Sequence, residues 1–153
     1  MPKHSAGILA YRIKMNHIEF LLCHPGGPFY AKKDLGAWTI PKGEMNEDED
    51  PLAAAQREFK EETGHAVKGP LLPLTPVRYK SGKTVHAWAT EIYLDPDAVK
   101  SNTFSLEWPP KSGKYIDVPE IDKAAWFTLS EAKRKILPAL SPLLDELHKI
   151  LSK

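Results

Sequence analysis

The stretch from Asp50 to Gly64 constrains this chain more than any other, because it carries the start, body and stop of a single helix. Asp50 is a good N-cap, with a short side chain that can accept from a free N–H of the first turn. Pro51 suits the first helical position, where a missing N–H costs nothing. Leu52 to Thr63 contains strong helix formers, and Gly64 sits where a left-handed C-cap residue belongs. With Leu52 at 0° and about 100° per residue, Ala55 and Phe59 fall at about 300° and 340°, the stripe that faces a core. Glu58, Glu61 and Glu62 fall at about 240°, 180° and 280°, sharing one face beside that stripe, with Glu62 at its border. Lys60 points elsewhere.

Three ionised carboxylates one turn apart repel one another, more strongly when partly desolvated. A solvated acidic face is the ordinary reading of such a run. A bound divalent cation is the other way to relieve the repulsion, and hard cations such as Mg²⁺ prefer oxygen ligands. Arg57 stands four residues before Glu61 and can orient that carboxylate, or it can reach back to Glu49.

Strand and helix signals surround this segment. Ser5 to Ile13 and Ile18 to Cys23 read as strands joined through Met15-Asn16-His17. His24 to Leu35 reads as a loop, in which Gly26-Gly27 makes a turn. Trp38-Thr39-Ile40 is a short apolar piece, stopped by Pro41-Lys42-Gly43. After the helix, Val77 to Tyr79 and Thr84 to Leu94 read as strands, and Asp95 to Lys114 as a long connection. Ala124 to Phe127 is a short strand, Leu129-Ser130-Glu131 starts a helix, and Pro138 to Leu151 supplies a final amphipathic one. Strands on both sides of the first helix predict a mixed sheet with helices on both faces.

Bulk properties exclude several classes. The 153 residues fit one domain, 1–153, with 42% hydrophobic and 27% charged residues, ordinary for a globular protein. The 21 basic and 20 acidic residues set up no global field, which counts against a nucleic-acid partner or an anionic membrane. No apolar run approaches the ~20 residues of a membrane span. The first ten residues lack the apolar core of a signal peptide. The single cysteine, Cys23, can form no internal disulfide. A cytoplasmic protein is the expectation. A homodimer stays open.

Gly43, Glu49, Arg57, Glu58, Glu61, Glu62 and Gly64 stand in the order G-x5-E-x7-R-E-F-x-E-E-x-G. This resembles the signature box of the Nudix hydrolases. Seven residue types fixed at this spacing arise by chance in on the order of 10⁻⁶ of chains this long. Phe59 meets the box's apolar position after Arg-Glu. His65 departs from the apolar residue that usually ends it, a local variation at the exit of the helix. The order of strands around the box also resembles the family, as does the ending Ala125-Trp126-Phe127 before Leu129-Ser130-Glu131-Ala132.

The resemblance implies an α/β/α sandwich with a mixed central sheet, and Mg²⁺-dependent hydrolysis (Mn²⁺ as a substitute) of a nucleoside diphosphate linked to a group X. It implies Glu58 and Glu62 as main metal ligands, Glu61 as a further ligand or the general base, and the Gly43 carbonyl facing the metal. Arg57 and Glu49 would hold the box together. In this family the base also comes from loops outside the box, which makes Glu107 and Glu120 candidates. Trp38-Thr39-Ile40-Pro41-Lys42-Gly43 resembles the W-x-x-P-K-G lead-in of dinucleoside polyphosphate and diphosphoinositol polyphosphate hydrolases. Lys42 would hold a distal phosphate there, with Lys32 and Lys33 extending the anionic subsite. Tyr30, Tyr79, Trp88 and Trp108 are candidates to stack on a base, although tryptophans mostly serve the core. His86 alternates with Trp88 on its strand, so the two share a face; both, with Trp38 of the lead-in, are candidate substrate contacts. The small-molecule substrates expected are nucleoside triphosphates or dinucleoside polyphosphates. A non-catalytic nucleotide sensor and an RNA-end pyrophosphohydrolase are the alternatives.

Overall fold

The computed structural model describes residues 3–152; Met1, Pro2 and Lys153 lie outside the described residues. In chain order the strands are β1 (His4–Lys14), β2 (His17–Pro25), β3 (Lys42–Glu44), β4 (Leu72–Pro73), β5 (Val77–Arg78), β6 (Thr84–Glu91), β7 (Thr103–Glu107), β8 (Tyr115–Pro119) and β9 (Ile121–Phe127). The helices are α1 (Pro51–Thr63), between β3 and β4, then α2 (Leu129–Lys135) and α3 (Ser141–Leu151) at the end.

Seven strands form a mixed sheet in the order β4-β6-β1-β2-β9, with β3 also on β1 and β5 also on β6. The β1–β6 pairing is parallel and the others are antiparallel. Met15 and Asn16 turn the first hairpin with φ of 50° and 67°, the paired left-handed geometry whose twist suits a two-residue loop.

Both faces of this sheet are covered, which explains why Ser5 to Ala10 is buried without interruption. Ala6, Ile8 and Ala10 pack with Leu21 against Ala54, Ala55 and Phe59 of α1. The alternate residue Leu9 packs with Phe20, Leu22, Val85 and Ala87 against Ala132 of α2 and Leu143, Leu144 and Leu147 of α3. The expected sandwich, one helix on one side and two on the other, is therefore present. No helix among the described residues is long and apolar enough to cross a membrane.

Helix α1 begins and ends where its signals place it. Asp50 accepts from the Ala53 N–H at 3.1 Å, and Gly64 adopts φ 78°. The buried stripe differs slightly from the wheel: Leu52 is half-buried, while Ala54 and Thr63 are fully buried.

Three expectations need correction. The supposed connection from Asp95 to Lys114 contains a 3-10 turn, Pro96–Ala98, and strand β7, which pairs with β8 as a separate two-stranded arm. The arm's apolar side is Phe104 opposite Val118 and Leu106 opposite Ile116, an alternation too short to stand out beside Pro109, Pro110 and Gly113. Lys42 and Gly43, read as a stop, form β3, since their backbone completes the edge of β1. The last helix starts at Ser141, and Pro138–Leu140 is a 3-10 turn ahead of it.

The packing of α3 gives a test. Leu144 is fully buried, whereas Ile150 is 37% exposed on the same helix. Leu144→Ala should cost about 2–5 kcal/mol of unfolding free energy and lower Tm by roughly 5–15 °C, and Ile150→Ala should cost far less. Thermal and denaturant unfolding would measure both; equal losses would mean that α3 is not docked through the Leu144 face.

Candidate active site

Helix α1 buries two carboxylates beside its apolar stripe. Glu58 is 8% exposed and Glu62 5%. They are held against β3, where a Glu62 oxygen accepts from the Lys42 N–H at 3.1 Å. Gly43 lies directly under the Glu58 carboxyl, so that any Cβ there would overlap it. This close approach is the physical reason for glycine at that position.

Arg57 does both things its position allows. It holds Glu49 through two hydrogen bonds, of 2.9 and 3.0 Å, and it reaches Glu58 at 2.8 Å and Glu61 at 3.3 Å. It also donates to the Glu44 carbonyl at 3.3 Å. The guanidinium and the Asn46 N–H pull the Glu49 carboxyl down to about 2, and Glu49 in turn raises the arginine. Loop, strand and helix are thus tied together at one side chain.

The carboxylates themselves are under-compensated. Burial, reinforced by the charges of Glu58 and Glu120, pushes Glu62 up to about 9. Burial and the charges of Glu58 and Glu61 raise Glu120. Lys42 is lowered by its own burial and by Lys83, with Glu62 and Glu58 acting in the opposite sense. A cation placed at these carboxylates would remove the mutual repulsion.

Among the described residues, no three His, Cys, Asp or Glu side chains are gathered into a ready-made metal cage; Glu61 is drawn toward Arg57. The donor set, two oxygen-bearing side chains on one helix face, fits Mg²⁺, which keeps several waters and takes one or two carboxylates together with substrate phosphates. It does not fit a thiolate- or imidazole-seeking metal.

A cavity of about 210 Å³ opens over these groups, lined among others by Tyr30, Lys42, Glu62, Glu120 and Leu137. A wider hollow of about 360 Å³ beside Glu44, Met45 and Asn46 holds none of the buried carboxylates, whereas the smaller cavity is lined by Glu62 and Glu120. Glu120 reaches it through a backbone relay. The Asn102 N–H donates to the Glu61 carbonyl, and the Glu120 N–H donates to the Asn102 carbonyl, each at 2.9 Å.

The remaining candidates divide. Lys42 lies 5.8 Å from the centre of the Tyr79 ring and Lys83 lies 5.9 Å from it, and the Tyr79 hydroxyl is buried without a partner. Lys33 is 5.6 Å from the Tyr30 ring, and Lys32 is exposed. Glu107 turns onto its own hairpin, accepting from the N–H groups of Lys111 and Gly113 at 3.2 and 3.1 Å. Trp38 is 4% exposed; it donates to Asp34 at 2.8 Å and packs edge-on against Phe127, a core role away from the cavity lining. His86 pairs with His4 at 3.0 Å, and Trp88 packs in the cluster under α1, so neither lines the cavity. His65 folds its ring onto the Thr63 carbonyl at 2.9 Å and closes the helix exit.

Two features escaped the sequence. Lys83 carried a weak signal, four residues after Tyr79 across a turn that contains Gly82. The buried His24 meets Asp122 at 2.8 Å and the Lys33 carbonyl at 2.6 Å; 98 residues separate the two side chains, and no local pattern links them.

A sequence model of the NUDIX domain matches residues 1–147. An Ap4A hydrolase from C. elegans, solved as a binary complex, is similar over 97% of this chain and 98% of that one, with TM-score 0.67 and 26% identity. An RNA pyrophosphohydrolase from Hahella chejuensis is 26% identical over 129 residues, 72% of this chain and 73% of that protein. An octanoyltransferase from Myxococcus xanthus is 31% identical over 101 residues, 66% of this chain, and the match spans only 25% of that longer relative. A family match over nearly the whole length, on a fold shared end to end with a solved hydrolase, means that this chain belongs to the Nudix hydrolase family.

Proposed function

We propose that this chain hydrolyses a pyrophosphate bond in a nucleoside diphosphate linked to a group X, with nucleoside triphosphates or dinucleoside polyphosphates as substrates. The observation that carries this reading is one cavity shared by the buried carboxylate Glu62, the cation Lys42 and a third acid, Glu120. Glu58 and Glu62 would hold Mg²⁺, or Mn²⁺ in its place, with Glu61 and the Gly43 carbonyl as further ligands. The bound cation would supply neutralisation of phosphate oxygens and a more acidic water.

The chain's own residues do the rest. Lys42 binds a phosphate oxygen. Glu120, held beside the carboxylate helix by the Asn102 relay, takes the proton of the attacking water. Glu107, engaged with its own turn, is the weaker candidate for that role. Arg57 and Glu49 fix the orientation of Glu58 and Glu61. The similarity to an Ap4A hydrolase over nearly the full chain supports the dinucleoside polyphosphate reading. The similarity to an RNA pyrophosphohydrolase favours an RNA end as a second reading. A turnover screen over both substrate kinds, with product identification, separates them. Presence of the full carboxylate set argues against a binding-only sensor.

Glu58→Gln and Glu62→Gln should each lower kcat by orders of magnitude while circular dichroism stays unchanged. Near-normal rates in both at limiting Mg²⁺ would remove the metal assignment. Glu120→Gln should cost about 10²–10⁴ in kcat with Mg²⁺ affinity preserved, and the deficit should narrow as rising pH supplies hydroxide. Glu107→Gln should stay close to wild type; the reverse ranking in pH–rate profiles would move the base to the arm.

Glu62 gives a stability test. Its ordinary value is 4.5 and the fold raises it to about 9, so the unfolded chain loses this proton first. The associated stability is complete below about pH 4.5 and is lost as pH rises toward about 9. Mg²⁺ favours the ionised form, and its gain in Tm should therefore increase across that window. A gain that is flat with pH would contradict the linkage.

A further inference from the structure

The outer wall of the cavity is built by a segment that the hydrolytic chemistry leaves unused. Between His24 and Lys33 the chain is tied at both ends. The Gly26 N–H donates to the Glu120 carbonyl at 3.0 Å, and the Lys33 N–H to the Tyr30 carbonyl at 3.0 Å. The buried His24 ring bridges the Lys33 carbonyl and Asp122. The arm formed by β7 and β8 leans on the same segment, with Trp108 edge-on to Phe29 at 5.1 Å.

The effect of this bracing is to leave aromatic surface in solvent. Phe29 is 53% exposed and Tyr30 38%. Burying these rings would have favoured folding, yet the loop holds them at the rim. Tyr30 lines the cavity that also contains Lys42, Glu62 and Glu120, and Lys33 stands 5.6 Å from its ring centre. A fixed aromatic ring beside an ammonium, next to a polyphosphate-binding cavity, matches an aromatic base attached to a charged chain. Bases stack on such rings with little regard to sequence, and cations add to the contact.

We propose that Tyr30, on the segment braced by the neighbouring Phe29–Trp108 contact and flanked by Lys33, is the specificity-determining platform on which an aromatic base of the substrate stacks. This rests on the pyrophosphohydrolase reading above. It goes beyond that reading by naming which part of the chain recognises an aromatic end group and by what chemistry.

The test compares Tyr30→Leu, Tyr30→Phe and the wild-type chain. Steady-state kinetics would use diadenosine tetraphosphate and the base-free substrate phosphoribosyl diphosphate. Calorimetry with Ca²⁺ as the cation would use adenosine tetraphosphate and inorganic tripolyphosphate. Tyr30→Leu should raise KM for the dinucleotide and Kd for adenosine tetraphosphate by about tenfold. It should leave kcat and the base-free ligands unchanged, and Tyr30→Phe should restore wild-type behaviour. Equal losses with and without a base, or no rescue by phenylalanine, would overturn the platform. A wild-type chain that turns over neither substrate would sink the dinucleoside polyphosphate reading alone, because the calorimetric comparison still decides the platform. A concentration-dependent dimer broken by Tyr30→Leu, with no base-dependent change in Kd, would reassign the aromatic rim to self-association and overturn the proposal.

Discussion

Two carboxylates on the inner side of α1 set the terms for everything around them. Glu58 and Glu62 sit where a helix would ordinarily present leucines, each one residue before a buried neighbour, Phe59 and Thr63. A buried charge is tolerated only with partners. The partners here are Arg57 from the same helix and the Lys42 N–H from β3. Strand β3 can come close enough to serve because Gly43 has no side chain to collide with Glu58. The loop between β3 and α1 is then closed by Glu49 on the other side of Arg57. The local geometry of roughly twenty residues follows from keeping two carboxyl groups buried in one place.

The sheet supplies the rigidity that this arrangement needs. Strand β1 pairs with β2, β3 and β6 and is covered on both faces. The strand that positions Gly43 therefore rests on the most enclosed element of the molecule. The other half of the site comes from the far edge. Strand β9 pairs with β2, and Glu120 lies just before it, so Glu62 from α1 and Glu120 from the start of β9 line one cavity.

Legibility followed the range of the interactions. Asp50, Pro51 and Gly64 act within one turn of themselves, and α1 could be read to the residue. The apolar runs of β1 and β2, buried on both faces, and the alternation in β6 repeat along each strand, and these strands were legible too. The β7–β8 arm was not, because each strand spans five residues and its apolar face is completed from the Gly27–Tyr30 loop. The His24–Asp122 pair joins distant segments through one ring and leaves no periodic trace. Trp38 illustrates the opposite error. Its place in a lead-in motif suggested ligand contact, yet its indole meets Asp34 only four residues away and its ring fills the core. The backbone of Lys42 and Gly43 is fixed by pairing with β1, and the tryptophan at the head of the motif packs in the core.

The hydrogen bond from the Glu120 N–H to the Asn102 carbonyl closes the β7–β8 arm at its neck. Residues 103–119 thereby form a loop whose two ends are pinned together whatever happens at its tip. The entropy of closing such a loop grows only with the logarithm of its length. Added or deleted residues near Pro109 to Gly113 would alter how Trp108 meets Phe29 and leave the spacing between Glu61 and Glu120 as it is. The arm is mechanically separable at that neck, so changes at its tip need not disturb the carboxylates of α1.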